Sequence, residues 1–479
     1  MDAAEYDLIV IGAGPVGENV ADRAVQGGLS VAIVESELVG GECSYWACMP
    51  SKTLLRAGAA LAAAVDAPGA LPAASGPRRV DVAAVLRRRD EIVHEWNDAG
   101  QVQWLQDAGI ELVRGHGRLT GEREVTVARD GADAARLRAR YAVAVCTGSA
   151  ALLPDIPGLA DARPWTSREA TAVQQLPESL VILGGGVVAC EMATAYASFG
   201  VAVTVLARSA LLRGVEPFAG ERVTAALREA GVDVRTDAQV TAVAREDDGR
   251  VRVDLDGGAS VTASEILVAT GRVPRTGDLG LEVVDLEPGA WLDVDDTLRV
   301  RGTAWLYAVG DVTHRALLTH QGKYQARAAG DVIAARAHGS EIDDRPWGAH
   351  VATADHDAVP QVVFTAPEVA AVGLTAAQAE ERGIRVRALD VDLAQIAGAS
   401  TLAAHYRGQA RAVIDEDRGV LVGATFVGED AAEMLHAATI AVVGEVPLHR
   451  LWHAVPAYPT LSEVWLRWLE AYGRESAFA

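Results

Sequence analysis

The chain has 479 residues, half of them hydrophobic, and 43 Lys and Arg against 65 Asp and Glu give a net charge of −22. Such a length suggests about three domains, and the acidic balance argues against nucleic-acid binding. Four cysteines are too few for a disulfide scaffold. We find no signal-peptide pattern and no apolar run that would span a bilayer, so we expect a cytoplasmic protein without membrane contact.

A strand–helix–strand unit near the N-terminus carries the fingerprint of a dinucleotide-binding turn. An apolar strand at 6–11 leads into G-A-G-P-V-G, a helical stretch runs to residue 26, and a second strand at 30–34 ends on Glu35. The glycines permit a tight turn close to a pyrophosphate, to which the helix N-terminus donates N–H groups. Glu35, 23 residues after Gly12, stands where an acid bonds ribose hydroxyls. A glycine turn that binds nothing is the alternative interpretation.

The next stretch, residues 40–52, reads G-G-E-C-S-Y-W-A-C-M-P-S-K and places Cys43 and Cys48 five residues apart. A regular helix would separate their α-carbons by about 8–9 Å, whereas a disulfide needs about 4.4–6.8 Å. A bridge therefore requires a bent backbone, and Pro50 supports a distortion because proline lacks an N–H. Two buried structural thiols are the alternative.

Further elements follow before the second half of the chain. We predict an alanine-rich helix to residue 65, a loop rich in Pro, Gly and Ala at 66–77, and a helix at 82–107. An apolar strand at 141–145 closes on Cys146-Thr147-Gly148. We interpret Cys146 as a buried strand residue without a redox role.

A second unit of the same kind begins with a strand at 180–183, and G-G-G-V-V-A-C-E follows it. The second strand of this unit, at 201–206, ends on Ala207-Arg208 instead of an acid. An arginine in this place can accept the 2′-phosphate of NADP. Arg208, with Arg213 nearby, therefore favours NADPH over NADH. The alternative is that both arginines only solvate a loop.

The remaining chain changes character after residue 341. Before that point, a strand–Thr–Gly ending recurs at 266–272, a strand at 306–311 closes on Gly310-Asp311, and a helix is predicted at 314–335. The polar segment 341–360 marks a boundary. The α+β segment beyond it has strands predicted at 361–364, 369–374, 410–414 and 419–426, and helices at 431–443 and 461–472.

These pieces, in this order, resemble the flavoprotein pyridine nucleotide-disulfide oxidoreductases, which include dihydrolipoamide dehydrogenase, glutathione reductase and mercuric reductase. The cysteine stretch and V-F-T-x-P-E at 363–368 are the most specific matches. The resemblance implies an α/β fold with two Rossmann-like domains and a C-terminal α+β dimerisation domain. It places the FAD domain at 1–150 and 273–346, the NAD(P) domain at 151–272 and the dimerisation domain at 347–479.

The resemblance also implies roles for particular residues. Cys48 would be the thiol nearest the flavin, Cys43 the interchange thiol that faces substrate, and Lys52, paired with Glu191, would lie beside the reactive flavin nitrogen. A positive environment would lower the thiol pKa. The implied FAD residues are Gly12, Gly14, Gly17, Glu35, Gly148 and Asp311. The implied NAD(P) residues are Gly184, Gly186, Ala189, Arg208, Arg213 and Gly271. We expect no resident metal ion.

The sequence departs from this family where substrate is expected to react. Tyr458 occupies the position of the usual acid/base histidine, while the following Pro459, Thr460 and Glu463 fit the pattern. With a pKa of about 10, tyrosine is a poor proton shuttle at neutral pH. His453 is interpreted as structural. A tyrosine here is similar to mercuric reductase, but the ending A-Y-G-R-E-S-A-F-A lacks the cysteine pair of that enzyme.

Two aromatic residues between the cysteines, Tyr45 and Trp46, either narrow the substrate cleft or pack in the core.

Our first hypothesis for function is an FAD-dependent NAD(P)H oxidoreductase that reduces a quinone, a metal ion or an activated disulfide through Cys43 and Cys48. The second is a thiol-disulfide reductase of the dihydrolipoamide dehydrogenase type. The third is a flavin-bearing redox sensor with little turnover. By resemblance, the protein would be a homodimer whose active sites are shared between subunits, with Tyr458 and Glu463 acting across the interface.

Overall fold

The computed structural model of the protein describes residues 3–67, 69–70, 79–129 and 131–478. The predicted loop at 66–77 lies mostly outside these residues. Two compact units are present: the first comprises the chain up to Pro50, Asp90–Leu152 and Arg272–His356, and the second comprises Ser51–Arg89, Leu153–Gly271 and the chain from Asp357. The division into three domains stays a prediction.

The first unit is organised around a parallel sheet. Because the chain alternates strands with connections that return to the same edge, successive strands align in one direction. The parallel strands lie in the order Glu111–Arg114, Val31–Glu35, Ala4–Ile11, Ala132–Val145 and Leu306–Ala308. His116–Gly121 and Glu124–Arg129 continue the sheet in antiparallel pairing. The apolar run at 8–11 is buried, as expected of a strand covered on both faces.

Two helices of this unit, Pro15–Gln26 and Thr319–Ala337, pack closely because small residues lie between them. A Cβ on Gly322 would lie 2.6 Å from Val16 Cγ2. The remaining elements of this unit, with the helices that begin or end in it, are Gly41–Tyr45, Cys48–Asp66, Val82–Ile92, Ala99–Asp107, Ser149–Ala151, Arg272–Pro274 and Ala354–Asp357, with 3₁₀ turns at His94–Trp96, Leu281–Val284 and Asp311–Thr313.

The helix predicted at 82–107 is wrong as a single element. The backbone φ angles of His94, Glu95 and Trp96 are 49°, 52° and 56°, and such left-handed residues end a right-handed helix. A new helix then starts at Ala99, whose N–H donates to Asn97 Oδ1 at 2.9 Å.

The nucleotide-binding part of the second unit repeats the parallel arrangement. Its strands lie in the order Asp233–Arg235, Ala202–Leu206, Ser179–Leu183 and Glu265–Val268. An antiparallel sheet contains Val240–Arg245, Val251–Leu255 and Ser260–Ala263. The helices are Ser167–Ala172, Val187–Ser198 and Pro217–Glu229, with a 3₁₀ turn at Asp256–Gly258.

The C-terminal part is α+β, as predicted, around an antiparallel sheet. The strands lie in the order Gln361–Val363, Glu368–Gly373, Val420–Gly428, Gln409–Asp415 and Val386–Asp392. Val386–Asp392 was not predicted: this edge strand reads V-R-A-L-D-V-D and has no buried residue, and its adjacent Ala388 and Leu389 interrupt the alternation that would indicate a strand. The helices are Ala376–Glu381, Ala397–Leu402, Ala431–Val443, Leu448–Leu451, Val464–Tyr472 and Arg474–Phe478, with 3₁₀ turns at Leu393–Gln395 and Leu461–Glu463. Of the helices in the described ranges, none combines the length and apolar character needed to cross a bilayer.

Candidate redox and nucleotide-binding sites

The two cysteines lie on separate helices. Gly41–Tyr45 ends before Trp46, and Cys48–Asp66 begins at Cys48. The backbone is therefore bent between the cysteines, as a bridge would require. Pro50 is not the cause, contrary to our expectation: it lies in the first turn of the second helix, where a missing N–H costs nothing.

Cys43 and Cys48 are half-buried and are not joined by a disulfide. Cys48 Sγ lies 3.4 Å from Thr319 Oγ1. A hydrogen bond with Cys48 and burial raise the pKa of Cys43 above its usual value, although Thr319 and Lys323 act in the opposite direction. The expectation of a lowered pKa is thus wrong for Cys43 in this dithiol form, and a base would be needed to make it nucleophilic.

The other two cysteines and the intervening aromatics have structural surroundings. Cys146 and Cys190 are buried, and burial raises the pKa of both, that of Cys190 to about 12. Tyr45 is fully buried, and its hydroxyl lies 3.1 Å from Val39 O and 2.8 Å from Gln101 Oε1, so that it can donate to either oxygen. Tyr45 therefore packs in the core, and only the half-buried Trp46 remains available to shape a cleft.

The first glycine loop has the form of a phosphate cradle. Gly12 has φ 100°, and a Cβ there would lie 2.5 Å from Cys146 O. No side chain caps the helix that begins after Gly14, so its first-turn N–H groups are open to an anion. Glu35 Oε2 accepts the Ala13 N–H at 2.7 Å, which holds the carboxylate beside the loop. These features fit a dinucleotide.

Asp311 is tied to two residues that the sequence analysis missed. Its Oδ2 accepts a hydrogen bond from Ser149 Oγ at 2.5 Å. Arg272 Nε donates to the same Ser149 oxygen at 2.5 Å. Burial raises the pKa of Asp311, and Gly148, with φ 72°, has open space beside it. The recurring Thr-Gly at 147–148 and 270–271, which Ser149 and Arg272 follow, was the available signal. All six predicted FAD residues belong to the first unit, and they follow its parallel strands, where α/β sheets bind ligands.

The second glycine loop has the same construction. Gly184 has φ 133°, and a Cβ there would lie 2.2 Å from Ala269 O. Gly186 precedes a helix that has no side-chain cap, while space beside Gly186 is open. Ala189 is buried against the strands, and Gly271 has φ 147°. This loop also fits a dinucleotide phosphate.

Arg208 and Arg213 are exposed, and neither forms a hydrogen bond or ion pair within the described chain. The contrast is Arg235 on the neighbouring strand, whose Nη2 lies 2.7 Å from Asp233 Oδ2. Two guanidinium groups that have no partner in the described chain and follow the second glycine loop are suited to bind a phosphate.

Lys52 and Glu191 form an ion pair in the second unit. Lys52 Nζ lies 2.7 Å from Glu191 Oε2, and Phe364 N–H donates to Glu191 Oε1 at 3.0 Å. Glu191 is 3% exposed, whereas the Lys52 side chain is 37% exposed. The Lys52 ammonium also lies 5.0 Å from the centroid of the Phe364 ring. Each carboxylate oxygen of the buried Glu191 thus has a partner. The role of the Lys52–Glu191 pair in catalysis stays a prediction.

The C-terminal tail does not assemble a proton relay within its own unit. Tyr458 is 77% exposed and makes no hydrogen bond to any described residue. Glu463 accepts a hydrogen bond from Arg467 on one oxygen, while its buried Oε2 has no partner among the described residues. His453 is exposed, and its ring centroid lies 6.4 Å from that of Phe478. This contact does not give His453 the role of a base.

Comparisons with known proteins agree with these features. The family model described as pyridine nucleotide-disulphide oxidoreductase matches residues 6–339, and the model for the dimerisation domain of that family matches residues 359–468. Members of this family use FAD and NAD(P)H.

Individual relatives match along nearly their whole length. A mercuric reductase from Streptomyces lividans is 33% identical over 466 residues, which cover 96% of this chain and 94% of the relative. A dihydrolipoyl dehydrogenase from Halobacterium salinarum is 32% identical over 471 residues, covering 95% and 94%. The solved structure of the HOCl-induced flavoprotein disulfide reductase RclA from Escherichia coli superposes with a TM-score of 0.81 at 25% identity, covering 97% of this chain and 99% of that one. The chain therefore belongs to the pyridine nucleotide-disulphide oxidoreductase family, as an enzyme with the dimerisation domain of that family.

Proposed function

We propose that this protein is an NAD(P)H oxidoreductase that passes electrons through FAD to the Cys43–Cys48 pair and on to an acceptor that needs little acid/base help. The acceptor would be a quinone, a metal ion or an activated disulfide. For a quinone, NAD(P)H is oxidised to NAD(P)⁺ and the quinone gains two electrons, one proton from the nicotinamide hydride and one from water. We place the reaction in the cytoplasm.

The reductive side of the site supports this proposal. When bound, FAD supplies hydride acceptance from the nicotinamide and two-electron transfer onward. The glycine loops at Gly12 and Gly184 would hold the two dinucleotides by backbone N–H groups. Lys52, oriented by Glu191, would offset the negative charge that reduction creates. Cys43 and Cys48 would exchange two electrons by moving between dithiol and disulfide.

The observation that carries the choice of acceptor lies at the histidine position. Tyr458 replaces the base, and the carboxylate oxygen of Glu463 that would orient such a base is unpartnered in the described chain. The raised pKa of Cys43 keeps that thiol protonated near neutrality. An ordinary disulfide needs a thiolate attack and a protonated leaving thiol. A quinone, a metal ion or a disulfide with an acidic leaving thiol makes less use of such proton transfer.

An anaerobic titration followed by an acceptor panel tests the proposal. Purified protein loaded with FAD is reduced with NADPH or NADH, and turnover is then measured with quinones, metal ions, activated disulfides, lipoamide and glutathione disulfide. We expect flavin bleaching and turnover with the first three classes. Strong turnover with lipoamide or glutathione disulfide and none with quinones would contradict the proposal. Failure of the flavin to bleach would favour a redox sensor.

A second candidate function is a thiol-disulfide reductase, which the similarity to dihydrolipoyl dehydrogenase supports. The two candidates predict different effects of replacing Tyr458. Under our proposal, Tyr458→His adds a general base and raises lipoamide turnover by about 100-fold, with little change for quinones. Tyr458→Phe is the matched control, since it removes only the hydroxyl, and both activities should stay near wild type. If Tyr458→Phe instead cripples disulfide reduction, Tyr458 is itself the shuttle and the second candidate is favoured.

The dimerisation domain supports a homodimer in which Tyr458 and Glu463 complete the site of the other subunit. Sizing chromatography of the holoenzyme, run together with activity measurements of each fraction, addresses this arrangement. An active monomer would contradict the shared site.

A further inference from the structure

A continuous hydrogen-bonded chain in the first unit connects Asp355 to the Gly310–Asp311 turn. Asp355 Oδ1 accepts a hydrogen bond from Gln321 Nε2 at 2.6 Å, and Asp355 Oδ2 accepts one from Gln325 Nε2 at 2.9 Å. Gln325 Oε1 in turn accepts the Gly310 N–H at 2.8 Å. The Gln325 residue is 0% exposed and the Asp355 side chain 1%. These hydrogen bonds are therefore shielded from water.

The backbone sets the direction of this hydrogen-bonded chain. A peptide N–H can only donate, so Gln325 must turn Oε1 toward Gly310 and its amide nitrogen toward Asp355. An ionised carboxylate only accepts, and Asp355 receives one amide donor on each oxygen. Every contact thus pairs one donor with one acceptor. A flipped Gln321 would place its oxygen against Asp355 Oδ1, and a flipped Gln325 would also place its amide nitrogen against the Gly310 N–H.

Burial raises the pKa of Asp355 above its ordinary value, which acts against the ionised form that this pattern needs. Gln321, Arg315, Gln325 and His356 act in the opposite direction and favour the carboxylate. Arg315 Nη1 lies 3.6 Å from Asp355 Oδ2 and forms no hydrogen bond to any described residue. A buried positive charge therefore faces the carboxylate.

The turn at the other end of the hydrogen-bonded chain adjoins the candidate FAD site. Gly310 has φ 82°, and a Cβ there would lie 3.1 Å from Val16 Cγ2, in the helix that follows the first glycine loop. Asp311 is bonded to Ser149. A shift of the Gly310 N–H would move Asp311 relative to that loop.

We propose that Asp355, acting through Gln325, is a positioning residue for FAD, which holds the Gly310–Asp311 turn in its cofactor-binding geometry. The inference rests on the proposed contact of Asp311 with FAD. It does not depend on which acceptor the enzyme reduces, so a failure of the acceptor assignment leaves it standing.

An exchange of donor and acceptor along the hydrogen-bonded chain tests this proposal. Asp355→Asn replaces one acceptor oxygen with a donor, which then faces the amide nitrogen of Gln321 or Gln325. Gln325→Glu places a second carboxylate against Asp355. Together, Asp355→Asn and Gln325→Glu restore a donor opposite an acceptor at the three hydrogen bonds that join positions 321, 355 and 325 and the Gly310 N–H, and leave the net charge unchanged.

The readout is FAD affinity, measured by titrating each apoprotein with FAD and following the flavin fluorescence. We expect each single variant to bind FAD about tenfold more weakly or worse, and the double variant to stay within about threefold of wild type. Asp331→Asn is the matched control: it lies on the same helix, its Oδ1 is 2.7 Å from Arg23 Nη2 near the surface, and its affinity should not change.

Two outcomes would overturn the proposal: wild-type affinity in Asp355→Asn, or a double variant that binds FAD no better than the single ones. Circular dichroism of the apoproteins accompanies the titration. If the single variants do not fold, a folded double variant with normal affinity supports the proposal, and an unfolded double variant counts against it.

Discussion

Replacing Lys52 with methionine should destabilise the protein by about 2 kcal/mol. The reason is the asymmetry of the pair: Glu191 is buried, whereas more than a third of the Lys52 side chain is exposed. Removing Lys52 leaves a buried carboxylate with the Phe364 N–H as its remaining hydrogen bond within the described chain. The shift of the urea unfolding midpoint measures the effect.

An exposed ion pair of the same unit provides the control. Arg407 Nη1 lies 2.9 Å from Glu229 Oε1, and both side chains are mostly exposed. Arg407→Met should change stability by less than about 0.5 kcal/mol. Adding Glu191→Leu to Lys52→Met should recover part of the loss, because it removes the stranded charge. Equal losses in the free energy of unfolding for Lys52→Met and Arg407→Met would contradict this account.

Replacing Arg208 with alanine should raise the KM for NADPH by about 10- to 100-fold and leave the KM for NADH nearly unchanged. An exposed guanidinium with no partner in the described chain can bond the 2′-phosphate, which NADH lacks. The kcat should change little, because the contact is made equally in the ground state and the transition state. Steady-state kinetics with both nucleotides measure the ratio.

Arg235→Ala is the matched control for this prediction. Arg235 also ends a strand of the same sheet, but it is already paired with Asp233, so its removal should not affect either KM. A loss of equal size for NADPH and NADH in Arg208→Ala would mean that this arginine only solvates the loop. Arg213→Ala should then be tested in the same way.

Local sequence patterns predicted the elements that depend on local physics. The glycine loops at Gly12 and Gly184 combine strand ends, turn residues and helix starts within a few positions, so the pattern sufficed. The five-residue spacing of Cys43 and Cys48 required a bend, and the helices do break there. Two of the wrong predictions were also local. The bend between the cysteines lies before Pro50, to which it was attributed, and the left-handed residues at 94–96 carry no strong composition signal.

The amino-acid sequence by itself determined the family, the two nucleotide-binding units and the replacement of the usual histidine by Tyr458, since motif order and spacing are written along the chain. Only the tertiary structure decided that Tyr45 belongs to the core, that the pKa of Cys43 is raised, and that Asp355 is joined through Gln325 to Gly310. These properties depend on burial and on donors and acceptors that are distant in sequence. The chain brings such groups together only when it is folded.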